Sequence, residues 1–315
     1  MSKCLYCYLE MEGEQNGDYH LTCIKTFYGT QVAPILPYRL SEMEDLAKKI
    51  AELSIAVPGV QAKLSLGKIK SELKKGQQGR LTIMNAMEGD YILKPQNAQY
   101  PEMPENEHLS MKLAELFKLD VVPSNMIRLA SGELCYITRR IDRWSDGTKI
   151  HMIDFLQILD LEDKYKGTME KLGKTIGELS ANTLLDKLRF FELCIFNYLI
   201  GNNDMHLKNF SMWRSEIGWT LSPAYDLLNV KLILPKDKED IALYLGGKKE
   251  NLSKTYFDAV GLVLQLNNKQ INNVYQQVHA WLHPALQLID KSFLSKRNRT
   301  LYKEIIQKRS GVFVD

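Results

Sequence analysis

The chain has 315 residues, 45% hydrophobic and 25% charged, which is enough apolar material for a packed core and excludes disorder and fibre. The 41 Lys and Arg against 38 Asp and Glu leave a net +3, too small an excess to make nucleic acid or an anionic membrane the main ligand. No apolar run reaches the ~20 residues of a spanning helix, and the first ten residues, MSKCLYCYLE, lack the basic-then-apolar pattern of a signal peptide, so a cytoplasmic protein without membrane contact is expected.

The first element is a cluster. Cys4-x2-Cys7, twelve intervening residues and His20-x2-Cys23 have the spacing of a zinc knuckle, two close ligand pairs joined by a loop. Four ligands close a tetrahedron and leave no open position for catalysis, so the metal expected is a structural Zn2+. The competing reading is four ordinary side chains in a frayed terminus. Cys135 and Cys194 lie singly in apolar runs and read as core.

Residues 39–53 place Leu40, Met43, Leu46, Ala47, Ile50 and Leu53 on one helical face. From Val60 to Leu66 the period changes to two, which predicts a half-buried strand, and further strands follow at 80–87 and 91–93 to give an antiparallel meander ending at Lys94. A helix over about 105–118 and strands at 121–122, 126–129 and 134–137 come next. Beyond Asp142 the pattern turns helical, at about 151–160, 168–183, 186–200, 253–265, 268–289 and 291–309, interrupted by an irregular stretch at 201–229 with a hairpin. This predicts an α+β chain in three parts: a Cys/His segment at 1–30, a strand-rich lobe at 31–145 and a helical lobe at 146–315.

The irregular stretch carries the chemistry. Asp204 and Asn209 are five residues apart after a long apolar helix, and Asp226 follows beyond the hairpin. Phosphoryl transfer from ATP needs such a set: a carboxylate to take the proton of the attacking hydroxyl, and an amide oxygen with a second carboxylate to hold Mg2+. Protein kinases use the same interval between base and Asn, although the DFG triplet is absent here and AYDLL stands in its place. In the strand-rich part, Val57, Gly59 and Val60 form a turn able to bring backbone N–H groups to phosphates. Lys94 ends a strand and Glu107 opens the next helix, the pairing that positions nucleotide phosphates. His206 reads as a prop for the loop backbone in preference to a proton acceptor. Lys208 reads equally as a cation at the transferring phosphoryl group or as a solvated lysine.

Six segments in this order resemble the HipA-type serine/threonine kinases of bacterial toxin–antitoxin systems: IAVPGVQAKLSL at 55–66, YILKP at 91–95, ENEHLSMKLAE at 105–115, TRRIDR at 138–143, DMHLKNFS at 204–211 and SPAYDLL at 222–228. The resemblance implies a two-lobed protein-kinase-like fold akin to the lipid-kinase-related branch. It makes Asp204 the base, Asn209 and Asp226 the magnesium ligands, Lys94 the phosphate-binding lysine, and Arg139 to Ile141 the hinge that meets adenine. It also implies a protein substrate from the translation apparatus, of the aminoacyl-tRNA synthetase class. A helix-turn-helix antitoxin would be the route to DNA, and a separate small β-rich protein would supply a subdomain this compact form lacks. The loop serine that many members autophosphorylate aligns with Ala56, and the nearest hydroxyl is Ser54. Two other readings are a catalytically weak kinase-like scaffold that assembles a DNA-bound repressor, and a small-molecule kinase of the aminoglycoside type. The last helix, with Lys296, Arg297, Arg299, Lys303, Lys308 and Arg309, reads as a solvated basic face in preference to a nucleic-acid contact.

Overall fold

A computed structural model describes residues 2–11, 17–43, 45, 63–68, 79–84, 89–144 and 146–313. The chain divides into two compact units, one formed by Met1–His108, Val122–Arg143 and Lys291–Phe293, the other by Leu109–Val121, Trp144–Asp290 and Leu294–Asp315.

The first unit is built on a sheet of β1 (Leu64–Lys68), β2 (Leu81–Met84), β3 (Tyr91–Lys94), β4 (Ser124–Arg128) and β5 (Leu134–Arg139), all antiparallel, in the order β2-β1-β3-β5-β4. The expected meander is corrected here. β1 pairs with both β2 and β3, Ser65 standing opposite Met84 on one side and Ile92 on the other. Nor is β1 half-buried: Leu64, Ser65, Leu66 and Gly67 are all buried, as a central strand covered on both faces requires. Within the strand the polar member of the alternation is Ser65, small enough to be enclosed, while Lys63 just before the strand is exposed. Helix α1 (Leu21–Tyr28) lays Phe27 and Tyr28 against Tyr91, with ring centroids 5.8 and 6.1 Å apart. Residues 40–43 begin the helix expected at 39–53, whose remainder lies outside the described residues except for Asp45.

Helix α2 (Met103–Leu116) begins in this unit and ends in the other. Its second half belongs with the helical unit because Ser110 shares a hydrogen bond with Tyr302 and the Leu113 carbonyl accepts from the Trp281 indole. That unit continues with β6 (Met152–Asp154), α3 (Phe155–Ile158), α4 (Met169–Leu179), α5 (Thr183–Ile200), β7 (Ser211–Ser215), β8 (Gly218–Leu221), α6 (Lys254–Val263), α7 (Asn268–Lys291) and α8 (Lys296–Ser310). The helix expected at 151–160 is instead a strand and a single turn. Met152 pairs with Trp213 of β7, and Asp154 accepts from the Gln157 N–H while Gln157 reaches back to the Asp154 N–H, a capping box that starts the helix late.

The core of this unit is aromatic: Phe117, Phe196 and Trp281 meet at 5.5–5.8 Å, and Tyr198, Phe257 and Phe313 form a second group. Asp186, almost fully buried in α5, accepts from Ser180 and from the Leu221 N–H, so it ties α5 to β8. Among the described residues no helix is long and apolar enough to cross a membrane.

The turn before β3 sets the register of the strand that ends in Lys94. Asp90 donates its N–H to the Leu66 carbonyl at 2.8 Å, and Gly89 has φ +87°, with the same Leu66 oxygen 2.6 Å from where a Cβ would stand. Gly89→Ala is therefore expected to destabilise the fold by more than about 1 kcal/mol, seen as a lower midpoint in urea unfolding, because alanine brings both a clash and an unfavourable φ.

Candidate active site

The catalytic-type loop starts where α5 stops. Gly201, at φ +73°, takes the left-handed position that ends the helix, and the following residues turn back under it. Asn202, Asn203, His206 and Asn209 are buried, and most of their polar groups are paired, Asn203 Oδ1 and His206 Nδ1 being the exceptions. Asn197 donates to the Leu193 carbonyl at 2.8 Å, Asn202 donates to Asn197 Oδ1 at 2.7 Å, and the Asp204 N–H donates to Asn202 Oδ1 at 3.3 Å. Asn209 closes the loop by donating its side-chain nitrogen to the Asp204 carbonyl at 3.1 Å. Leu207–Asn209 form one tight helical turn. Tyr225 pins it from the far side, its hydroxyl bonded to the Lys208 carbonyl at 3.1 Å and to Ser211 at 2.5 Å.

Asp204 itself is half-buried, and its Oδ1 accepts from the Tyr165 hydroxyl at 2.6 Å. His206 Nε2 lies 2.8 Å from Lys164 Nζ. Burial pushes the His206 imidazole below its ordinary pKa; Asp204 pulls it up, Lys164 pushes it down and Asp226 pulls it up. Neutral His206 therefore accepts from the Lys164 ammonium, and both carboxylates, Asp204 and Asp226, lie within its field. Asp226 is half-buried and has φ +60°, a left-handed conformation uncommon outside glycine, asparagine and aspartate. Lys208 is half-buried in the same turn.

Lys164 and Tyr165 were not legible as site residues. They sit in a loop before α4 with no spacing relative to Asp204, and only the tertiary fold brings them to it.

In the strand-rich unit, Lys94 Nζ and Glu107 Oε1 are 2.5 Å apart, and both side chains are almost wholly buried, at 4% and 2% exposure. Lys94 also lies 5.5 Å from the Tyr136 ring centroid. The Arg139 side chain is directed at α1, where its guanidinium donates to the carbonyls of Thr26 and Phe27, while Ile141 is half-buried. Cys4, Cys7, His20 and Cys23 come together, their ligand atoms all within 4.8 Å of one another. Ser54, Val57, Gly59 and Val60 lie outside the described residues.

Two solved structures share this fold. A chain of the complex of HipA, HipB and operator DNA from the Shewanella oneidensis toxin–antitoxin system superposes with a TM-score of 0.68 at 18% identity, covering 87% of this chain and 70% of that one. The Helicobacter pylori proinflammatory kinase CtkA gives 0.50 at 16% identity, covering 70% and 86%. The class defined is an α+β, kinase-like fold. More narrowly, the chain belongs to the HipA-like C-terminal domain family, whose profile matches residues 55–285. Y4mE of Sinorhizobium fredii, provisionally named a kinase, is 31% identical over 239 residues, 70% of this chain and 54% of its own length. The chain thus spans about half the length of that curated relative.

The Lys164 to His206 contact is testable by NMR. Lys164→Met removes a cation that holds the imidazole pKa down, so the His206 titration should move up toward the ordinary value of about 6.5. An unmoved titration would show that Lys164 does not contribute to it.

Proposed function

We propose that this chain is an Mg-ATP-dependent serine/threonine protein kinase that acts as the toxin of a toxin–antitoxin module. The observation that carries the reading is the buried asparagine relay, which fixes Asp204 and Asn209 in one loop with Asp226 in the same electrostatic field. A half-buried carboxylate and an amide oxygen, both hard oxygen donors, suit Mg2+, which supplies charge screening of the transferring phosphate. Asp204 takes the proton of the attacking hydroxyl. Its Oδ1 already accepts from a phenol at 2.6 Å, the geometry a substrate serine or threonine would adopt after displacing Tyr165. His206 and Lys164 hold the loop, and Lys208 offers a cation beside the base. Lys94, steered by Glu107, binds nucleotide phosphates together with the loop of Val57, Gly59 and Val60, and the backbone from Arg139 to Ile141 meets adenine.

The remaining assignments follow from family membership. The substrate is a translation component of the aminoacyl-tRNA synthetase class, the location is the cytoplasm, and a helix-turn-helix antitoxin is the partner. The structural neighbour from Shewanella was solved with HipB and operator DNA, which supports that choice. A separate small β-rich protein is a second candidate partner, and Ser54 is the candidate autophosphorylation site. A structural Zn2+ at Cys4, Cys7, His20 and Cys23 stands outside the phosphoryl-transfer chemistry. Against the scaffold reading, Lys94, Asp204, Asn209 and Asp226 are all retained.

Asp204→Asn removes the base at constant volume, so phosphate transfer to a cell extract should fall at least about a hundredfold while the thermal midpoint stays within a few degrees. Transfer equal to the parent's would refute the assignment. Asp226→Asn should instead weaken Mg-nucleotide binding in a calorimetric titration, and unaltered affinity would place the metal elsewhere.

A further inference from the structure

Cys4, Cys7, His20 and Cys23 take no part in the chemistry above, yet they are assembled more closely than chance packing requires. Zn–S bonds of about 2.3 Å and Zn–N bonds of about 2.05 Å give a tetrahedron with N···S edges near 3.6 Å and S···S edges near 3.8 Å. His20 Nδ1 stands 3.4 Å from Cys7 Sγ and 3.9 Å from Cys23 Sγ, and all four ligand atoms lie within 4.8 Å of one another. The imidazole is also set in the ligating tautomer. Its Nε2–H donates to the Glu10 carbonyl at 3.1 Å, which leaves Nδ1 unprotonated toward the sulfurs, as second-shell carbonyls do for metal-bound histidines. A frayed terminus would show none of this, and Cys4 is fully buried.

What this cluster holds together is the next observation. Among the described residues, the segment it closes touches each element that carries a nucleotide-type residue of the strand-rich unit. Tyr8 shares a 2.8 Å hydrogen bond with His108, the residue after Glu107 on α2, and its ring meets His108 edge-on at 5.2 Å. Phe27 and Tyr28 pack on Tyr91, the first residue of the strand that ends in Lys94. Tyr19 donates to the Met126 carbonyl on β4 at 2.6 Å, and α1 receives the Arg139 guanidinium from the end of β5. Cys23 lies on α1, and Tyr8 directly follows Cys7. Each contact is therefore within five residues of a ligand.

We infer that the four ligands hold one zinc ion that works as a clasp: it closes residues 4–28 into a rigid brace against β3 and α2, so that the Lys94–Glu107 pair, and with it nucleotide affinity, depends on metal occupancy. The nucleotide half of this inference rests on the kinase reading, and the metal half does not.

The experiment compares parent, Cys23→Ser and Tyr8→Phe, each purified without added metal. Elemental analysis should find about one zinc per chain in the parent and in Tyr8→Phe, and little in Cys23→Ser. Amide hydrogen exchange should quicken at residues 91–94 and 103–108 in Cys23→Ser and, less, in Tyr8→Phe, with residues 268–290 of α7 unchanged. Calorimetry should show ATP bound roughly two- to tenfold more weakly by Tyr8→Phe, the range one lost hydrogen bond can carry. A parent without zinc, or zinc-depleted protein whose exchange at 103–108 and ATP affinity match the parent's, would overturn the clasp. If the parent fails to bind ATP at all, the kinase reading falls, and zinc content with exchange still decides the clasp.

Discussion

The loop from Asn202 to Asn209 is held by a run of buried amide hydrogen bonds, while Asn203 Oδ1 and His206 Nδ1 in the same loop are buried without a protein partner. Leaving one buried amide unpaired costs about 1–3 kcal/mol, so a conformation that pairs Asn197, Asn202, Asp204 and Asn209 in sequence has few competitors. The relay begins inside α5, where Asn197 is anchored to the helix's own carbonyl, so the helix position dictates the loop position. The aromatic core around Phe196 and Tyr198 in turn fixes the helix. Rigidity thus passes from an apolar core, through amides, to a carboxylate.

The strand-rich unit meets the same demand with charge. A buried Lys94–Glu107 pair is costly to desolvate, and losing either partner leaves an isolated charge, commonly a penalty of about 3–5 kcal/mol. Such a pair adds little net stability and much specificity of position. It holds the end of β3 at one place relative to the first turns of α2, which is what a phosphate-binding lysine needs.

Much of this was readable in the sequence where one residue's role depends on its near neighbours. The long apolar helix expected before residue 201 is present as α5, and Asp204 and Asn209 fall in one tight loop after it, because helices and tight loops are local properties. Reading failed where the answer lay across the chain. β1 is enclosed by β2 and β3, and no local pattern distinguishes that from an edge. The segment at 151–160 has enough apolar residues for a helix, but pairing with β7 takes the first three and Asp154 delays the cap. Tyr165 and Lys164 had no signal, being placed by contacts to residues some forty positions away.

The left-handed backbone at Asp226 narrows what natural variation can do there. Most side chains cost about 1–2 kcal/mol in that conformation, and only glycine, asparagine and aspartate enter it routinely. Glycine discards the carboxylate, and asparagine keeps an oxygen but not the charge. A lineage that loses the proposed phosphoryl transfer therefore has a short list of folded destinations at this position. Asparagine or glycine at 226 in an otherwise intact relative would be a readable mark of a chain that has kept the architecture and given up the proposed chemistry.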